Sequence, residues 1–292
     1  MQQFLNVTLT GLAQGSIYAA IALALVLIWR STRIVNFAQG AMAMFTTYLA
    51  LVVIEAGWSY WAGLLVALVS GLVLGAVVER VVVRPVEGGP ELNAVIVTLG
   101  LFVGFQALAA ILFGSTFVSF PAPFDLRGFT VGGVNIAFTP NSIYVIVAVF
   151  VVMALLVALF RFTDLGLRMR ASAFSQEVSR LLGVRVGQML TLGWALAAVV
   201  GSLAGVLIAG GSLVSPNYLD GVLVFGFVAA VLGGLESPGG AVVGGLSIGL
   251  ALSYVSGYLG SDLVALAALV ILVAVLLIRP QGLFAKAAAR RV

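Results

Sequence analysis

The sequence predicts an all-α integral membrane protein, a polytopic bundle of about eight to nine membrane segments with a broken helix near 233–240. Three observations carry that prediction. The 292 residues are 62% hydrophobic and only 8% charged, whereas a soluble domain carries about a quarter charged residues. The apolar residues fall into runs of the length a membrane-spanning helix requires, about 20 residues. Every Lys and Arg except Arg127 can be placed on one side of the membrane if those runs cross in alternation, the asymmetry that sets orientation. The whole chain, 1–292, reads as a single transmembrane domain.

The candidate segments in order are 7–29, 36–54, 60–78, 93–113, 142–160, 188–210, 221–258 and 263–278. The seventh is interrupted by Gly233-Gly234-Leu235-Glu236-Ser237-Pro238-Gly239-Gly240, which cannot continue a regular helix because Pro lacks a donor and Gly costs helical stability. It divides into 221–232 and 241–258, giving nine segments. The count is eight if 36–54 or 221–232 is re-entrant or one pair folds back as a hairpin. Arg30, Arg33, Arg80, Arg84, Arg161 through Arg185 and Arg279 through Arg291 then lie in the cytoplasm, with the N-terminus outside and the C-terminus inside. Residues 1–29 have no basic leading region, so the first run is expected to be retained as a span.

Small residues recur at four-residue spacing in Gly11/Gly15, Gly71/Gly75, Gly100/Gly104, Gly201/Gly205, Gly240/Gly244 and Gly245/Gly249, the pattern that lets helix backbones approach closely in lipid. The outer loop, about 114–141, contains alternating apolar residues around Gly132-Gly133 that predict a short β-hairpin over 129–138. The longest inner segment, about 163–187, places Ala171, Phe174, Val178, Leu181 and Leu182 at helical spacing, with Arg170, Gln176, Glu177 and Arg180 between them and Gly183 as a natural stop. Too short and polar to span, this segment either rides the membrane surface or fits a groove on a partner.

The chain contains no Cys or His, which excludes thiolate and imidazole metal sites and the common nucleophile systems. Its one Lys, Lys286, is not in a phosphate-binding loop, so the chain cannot be a P-loop ATPase. No metal site, bound cofactor or catalytic residue is expected, and basic residues beside apolar spans do not suggest nucleic-acid binding. Asn6, Thr10, Gln14 and Tyr18 form a polar stripe on the first span, and Asn36, Gln39, Gly40, Ala43, Thr46 and Thr47 a polar and small face on the second. Such faces either line a route through the bundle or bond helix to helix. Among the carboxylates, only Glu236 at the break is expected inside the protein core.

The motifs Gly11-Leu-Ala-Gln-Gly-Ser-Ile-Tyr-Ala19, Asn36-Phe-Ala-Gln-Gly40, Glu79-Arg80 with Arg84-Pro85, Thr98-Leu-Gly100, Gly166 with Arg168-Met-Arg-Ala171, Leu182-Gly183, Gly201-Ser-Leu-Ala-Gly205, Gly233-Gly234 through Gly244-Gly245 and Arg279-Pro-Gln-Gly-Leu-Phe284 occur in order over nearly the whole chain. Together they resemble the permease subunits of bacterial ABC importers for branched-chain amino acids, a family that also serves amides and urea and is more distantly related to sugar permeases. The resemblance implies a multi-pass permease of the bacterial inner membrane that is not itself an enzyme. Its implied partners are a paralogous permease, two cytoplasmic P-loop ATPases that use ATP and Mg, and an extracytoplasmic substrate-binding protein. It makes 166–183 the ATPase-coupling segment, with Arg168, Arg170, Ala171, Phe174, Glu177 and Gly183 as contact residues. Candidate pathway residues are Gln14, Tyr18, Asn36, Gln39, Thr46, Thr47 and Thr98, and the helix break comprises Gly233, Gly234, Glu236 and Pro238. This chain departs from the family pattern between Phe174 and Arg180 and at Leu223-Val-Phe-Gly-Phe227, where many relatives carry a lysine. The competing reading is a stand-alone carrier or channel for a small polar solute, with its site at the discontinuous helix.

Overall fold

With no water in a bilayer to satisfy the backbone, each apolar run closes its own hydrogen bonds as a helix. A computed structural model describes residues 2–131 and 134–284. Among these, the helices are α1 (Gln2–Thr32), α2 (Gln39–Glu55), α3 (Tyr60–Val77), α4 (Glu91–Phe113), α5 (Pro140–Phe162), α6 (Asp164–Phe174), α7 (Gln176–Leu181), α8 (Val186–Ala209), α9 (Asp220–Gly233), α10 (Pro238–Tyr258) and α11 (Val264–Ile278). Seven helical stretches are long and apolar enough to cross a membrane, and the helices over 39–55 and 220–233 are shorter. Each of the nine segments expected from sequence is therefore a helix, and the two expected to be exceptional are the two short ones.

Polar residues fix where several helices begin. Ser59, Thr139, Thr163, Ser175 and Ser237 each accept a hydrogen bond from a backbone N–H in the first turn of the helix that follows, satisfying donors that otherwise have no partner. Pro140 and Pro238 follow two of these caps at the first helical position, where a missing N–H costs nothing. Outside the spans, β1 (Val118–Ser119) pairs antiparallel with β4 (Leu213–Val214), and β2 (Phe129–Val131) with β3 (Val134–Ile136). The latter pair is the expected hairpin; its Gly132-Gly133 turn lies outside the described residues, as do Lys286, Arg290 and Arg291.

α1 and α8 form the centre of the bundle and are buried along most of their length, whereas α4 and α11 are largely exposed. The glycine pairs account for much of this geometry. A Cβ on Gly249 would lie 2.1 Å from the Cα of Gly15, and one on Gly245 2.3 Å from the Cα of Ala19, so α1 and α10 cross with their backbones in contact. Gly71 and Gly75 seat α3 on Ser202, Ala198 and Trp194 of α8, while Gly201 and Gly205 seat α8 on Gln39, Ala43 and Thr47 of α2. Gly100 and Gly104 differ: neither has a heavy atom within 4 Å of a would-be Cβ, because α4 turns that face away from the bundle. Gly249→Ala is expected to force α1 and α10 apart at a cost of about 1–3 kcal/mol, read as a lower melting temperature in detergent. Gly100→Ala should leave the melting temperature unchanged or slightly raised, since Ala is the better helix former and meets nothing there.

The break between α9 and α10 is closed locally. Gly234 adopts φ +93°, a left-handed conformation that a residue with a Cβ adopts at a cost. Gly233 and Gly240 pack backbone to backbone. Downstream of α11 the chain returns to this turn: the Leu283 N–H donates to the Leu232 carbonyl at 2.9 Å, and Gly282 packs on Gly234.

Candidate functional site at the basic end of the bundle

The ends of α1, α3, α5 and α9 and the starts of α2, α4, α8 and α10 meet at one end of the bundle, where most of the arginines are. The segment joining α5 to α8 lies across this end. Thr163 caps α6, and a Cβ on Gly166 would lie 2.2 Å from the Leu159 carbonyl oxygen, so the absence of a side chain there lets α6 fold back on the end of α5. Sequence periodicity suggested one helix through Leu182; the structure divides it at Ser175, which leaves helical geometry (φ −152°, ψ 111°) and caps α7 through the Val178 N–H. Gly183, at φ +81°, ends the segment.

The division determines which residues face where. Met169, Ser172 and Ser179 face the bundle and are buried. Phe174 is 90% exposed, Leu181 82% and Leu182 76%, so the apolar row seen in the sequence is turned outward. Arg168, Arg170, Glu177 and Gly183 are exposed beside it and Ala171 is half-buried.

Beneath this segment is a polar cluster that sequence reasoning placed in the cytoplasm. Helix α3 runs on into a π-helical turn, Val78–Val83, followed by a 3-10 turn, Arg84–Val86. The turn carries Glu79 inward, where its side chain is fully buried. Arg84 Nε donates to Glu79 Oε1 at 3.0 Å and Nη2 to Oε2 at 2.8 Å, and Thr191 Oγ1 donates to Oε2 at 2.6 Å. Arg84 Nη2 also donates to the Gly187 carbonyl at 2.7 Å. The Arg84–Glu79 bonds close the turn at the end of α3, the Thr191 and Gly187 bonds tie that turn to the first turns of α8, and Gln176 Nε2 donates to Glu87 Oε1 at 3.3 Å from the start of α7. The expectation that only Glu236 sits in the core is thus overturned: among the described residues, Glu79 is a buried carboxylate. Glu236 is more than half exposed at the helix break, paired with Arg33 of the α1–α2 connection. A hydrophobic count sees Glu79 only as a charge at the end of a span, and the Glu79/Arg84 spacing of five is the one hint of a π-helical pairing.

The candidate pathway residues are widely spread. Asn36 and Gln39 are fully buried. Asn36 Oδ1 accepts from the Ala38 N–H at 3.0 Å, its Nδ2 donates to Gln39 Oε1 at 3.2 Å, and Gln39 Nε2 donates to the Ala197 carbonyl at 3.0 Å. Thr46 Oγ1 donates to Ser202 Oγ at 2.8 Å, and Thr47 Oγ1 to the Ala43 carbonyl. Thr98 is buried with its hydroxyl toward Val95 and Val35 carbonyls. Gln39 and Thr46 thereby join α2 to α8, and Thr98 joins α4 to the α1–α2 connection. Tyr18 packs edge-on against Phe225 of α9, and Gln14 is exposed on α1. Gln106 Nε2 of α4 donates to Asp220 at 2.9 Å. In the outer connection before α9, Tyr218 donates to the Gly205 carbonyl at 3.0 Å; burial pushes its hydroxyl well above the ordinary value, so it remains a neutral donor.

A family described as "Branched-chain amino acid transport system / permease component" matches residues 7–278. The chain belongs to this permease family. It is 29% identical over 298 aligned positions to the high-affinity branched-chain amino acid transport system permease protein LivH of Escherichia coli K12, covering 97% of this chain and 96% of that one. It is 28% identical to BraD of Pseudomonas aeruginosa, covering 98% and 96%. The fold is similar to two solved structures: PsaBC from Streptococcus pneumoniae in complex with Fab (TM-score 0.52, 14% identity, 96% and 93% coverage) and a metal-chelate-type ABC transporter in an inward-facing conformation (TM-score 0.53, 18% identity, 95% and 88% coverage). As a member of this permease family the protein is a transport component.

Proposed function

We propose that this chain forms part of the translocation path of an ATP-driven importer for branched-chain or related amino acids, alongside a paralogous permease, two P-loop ATPases and an external binding protein. The substrate class rests on the names of the LivH and BraD relatives. ATP and Mg act in the ATPases, and the binding protein delivers substrate at the face opposite the basic end. The N-terminus then lies outside an inner membrane and residues 161–187 inside, the arrangement favoured by the basic residues.

The observation that carries the coupling reading is the outward-facing row of Phe174, Val178, Leu181 and Leu182. Large apolar residues flanked by Arg168, Arg170 and Glu177 suit a helix-in-groove contact, in which a few anchors supply most of the binding energy. Displacement of this segment reaches the bundle through α8 and through the Glu79/Arg84 cluster, which ties α8 to the chain entering α4. A rigid docking element joined to packed helices is what a two-state switch between open faces requires.

Gentle purification of the tagged chain, followed by mass spectrometry of its companions, tests the reading. A P-loop ATPase and a second permease are expected. The chain alone, together with loss of transport in Glu236→Gln, would support the stand-alone carrier instead. In the importer, Glu236→Gln is expected to retain near-normal transport, since an exposed ion pair contributes little.

A further inference from the structure

An apolar groove of roughly 330 Å³ opens between α1, α5 and α10, and three arginines stand at its basic end. Its walls are Leu23 of α1, Met153, Leu156 and Val157 of α5, and Val242 of α10, while Arg30, Arg161 and Arg170 come from α1, α5 and α6. Among the described residues, none of these arginines lies within salt-bridge distance of a carboxylate, since the ion pairs found are Arg33–Glu236 and Arg84–Glu79. Arg30 is half-buried, and the charges that act on it are Arg170, Arg33 and a Glu236 already held by Arg33. A partly buried cation without a carboxylate partner, as Arg30 is, is costly, and the exposed Arg161 and Arg170 beside it add positive charge at the same opening, which favours an anion.

We infer that this groove is a binding site for an anionic phospholipid, with the phosphate held among Arg30, Arg161 and Arg170 and an acyl chain lying along the walls formed by Leu23, Leu156, Val157 and Val242. The shape and charge are both amphipathic: an inorganic anion would leave the walls unused, and a zwitterionic lipid would carry no net charge to the arginines. Basic pockets between membrane helices recognise lipid headgroups on this principle. The site adjoins the α6–α7 segment through Arg170, so an occupied groove would also brace the base of that segment.

Native mass spectrometry of the full chain, purified with whatever subunits accompany it, tests the inference with phosphatidylglycerol and phosphatidylethanolamine as probes. Phosphatidylglycerol adducts are expected to exceed phosphatidylethanolamine adducts roughly tenfold, and inorganic phosphate should not displace them. Arg30→Gln combined with Arg161→Gln should abolish the preference while leaving the elution profile unchanged. Val157→Trp, which fills the groove and keeps the charges, should reduce retention of phosphatidylglycerol. Equal retention of both lipids, an unchanged preference in the double variant, displacement by phosphate, or no adduct because another subunit fills the groove would each overturn the proposal. None of these outcomes depends on whether the α6–α7 segment contacts an ATPase.

Discussion

Arg84→Ala is expected to remove most of the folded protein from detergent extracts. The change leaves the fully buried Glu79 carboxylate with Thr191 as its remaining side-chain partner, and breaking a buried ion pair by removing one member costs about 3–5 kcal/mol because the other charge stays behind. Arg84 is 30% exposed, which places the expected cost toward the lower part of that range, still a large fraction of the roughly 5–15 kcal/mol that holds a typical domain together. Size-exclusion profiles and melting temperatures measure it. Arg80→Ala, one turn earlier and exposed, should be close to wild type. Replacing both members, Glu79→Met with Arg84→Met, should recover part of the loss, since apolar residues of similar size can replace a buried pair. A melting temperature unchanged in Arg84→Ala would show that the cluster contributes nothing to the fold.

The second large effect is functional. Phe174→Asp is expected to abolish ATP-driven uptake while leaving membrane insertion and melting temperature unchanged. Phe174 is 90% exposed, so the bundle loses almost no buried area when it is replaced. A groove on a partner would lose an aromatic anchor, worth at least about 2 kcal/mol or roughly thirtyfold in affinity. Co-purification of the ATPase should fall accordingly, and Leu181→Asp should behave alike. Phe117→Asp, exposed in the connection at the opposite end of the bundle, is the control for ATPase co-purification. Normal uptake in Phe174→Asp would remove the row from the coupling interface.

Periodicity along the chain reports where an element lies, not what it touches. Span positions were legible because about 20 apolar residues admit one solution in a bilayer. The interruption at Gly233-Gly234 and Pro238 was legible because those residue types forbid a regular helix. The direction of a glycine pair was not. Gly245/Gly249 and Gly100/Gly104 have the same spacing, yet one pair touches α1 and the other faces open space, a difference set by neighbours far along the chain. The destination of Glu79 was hidden for a related reason. A π-helical turn shifts the side-chain register, and in an α-helical reading the residue falls at the end of a span. For the α6–α7 segment, the sequence identified an apolar row but not which way it points. That depends on Gly166 folding α6 back and on Ser175 restarting the helix.

The return of Leu283 to the Leu232 carbonyl bears on how the protein is made. Residues 232 and 283 leave the ribosome several seconds apart at about 5–20 residues per second. During that interval α10 and α11 are made, and even after α9 and α10 are both synthesised the carbonyl at their junction lacks the N–H that will cap it. The junction therefore cannot reach its final form until α11 and the turn after it have been made, so closure of this end of the bundle follows the last span.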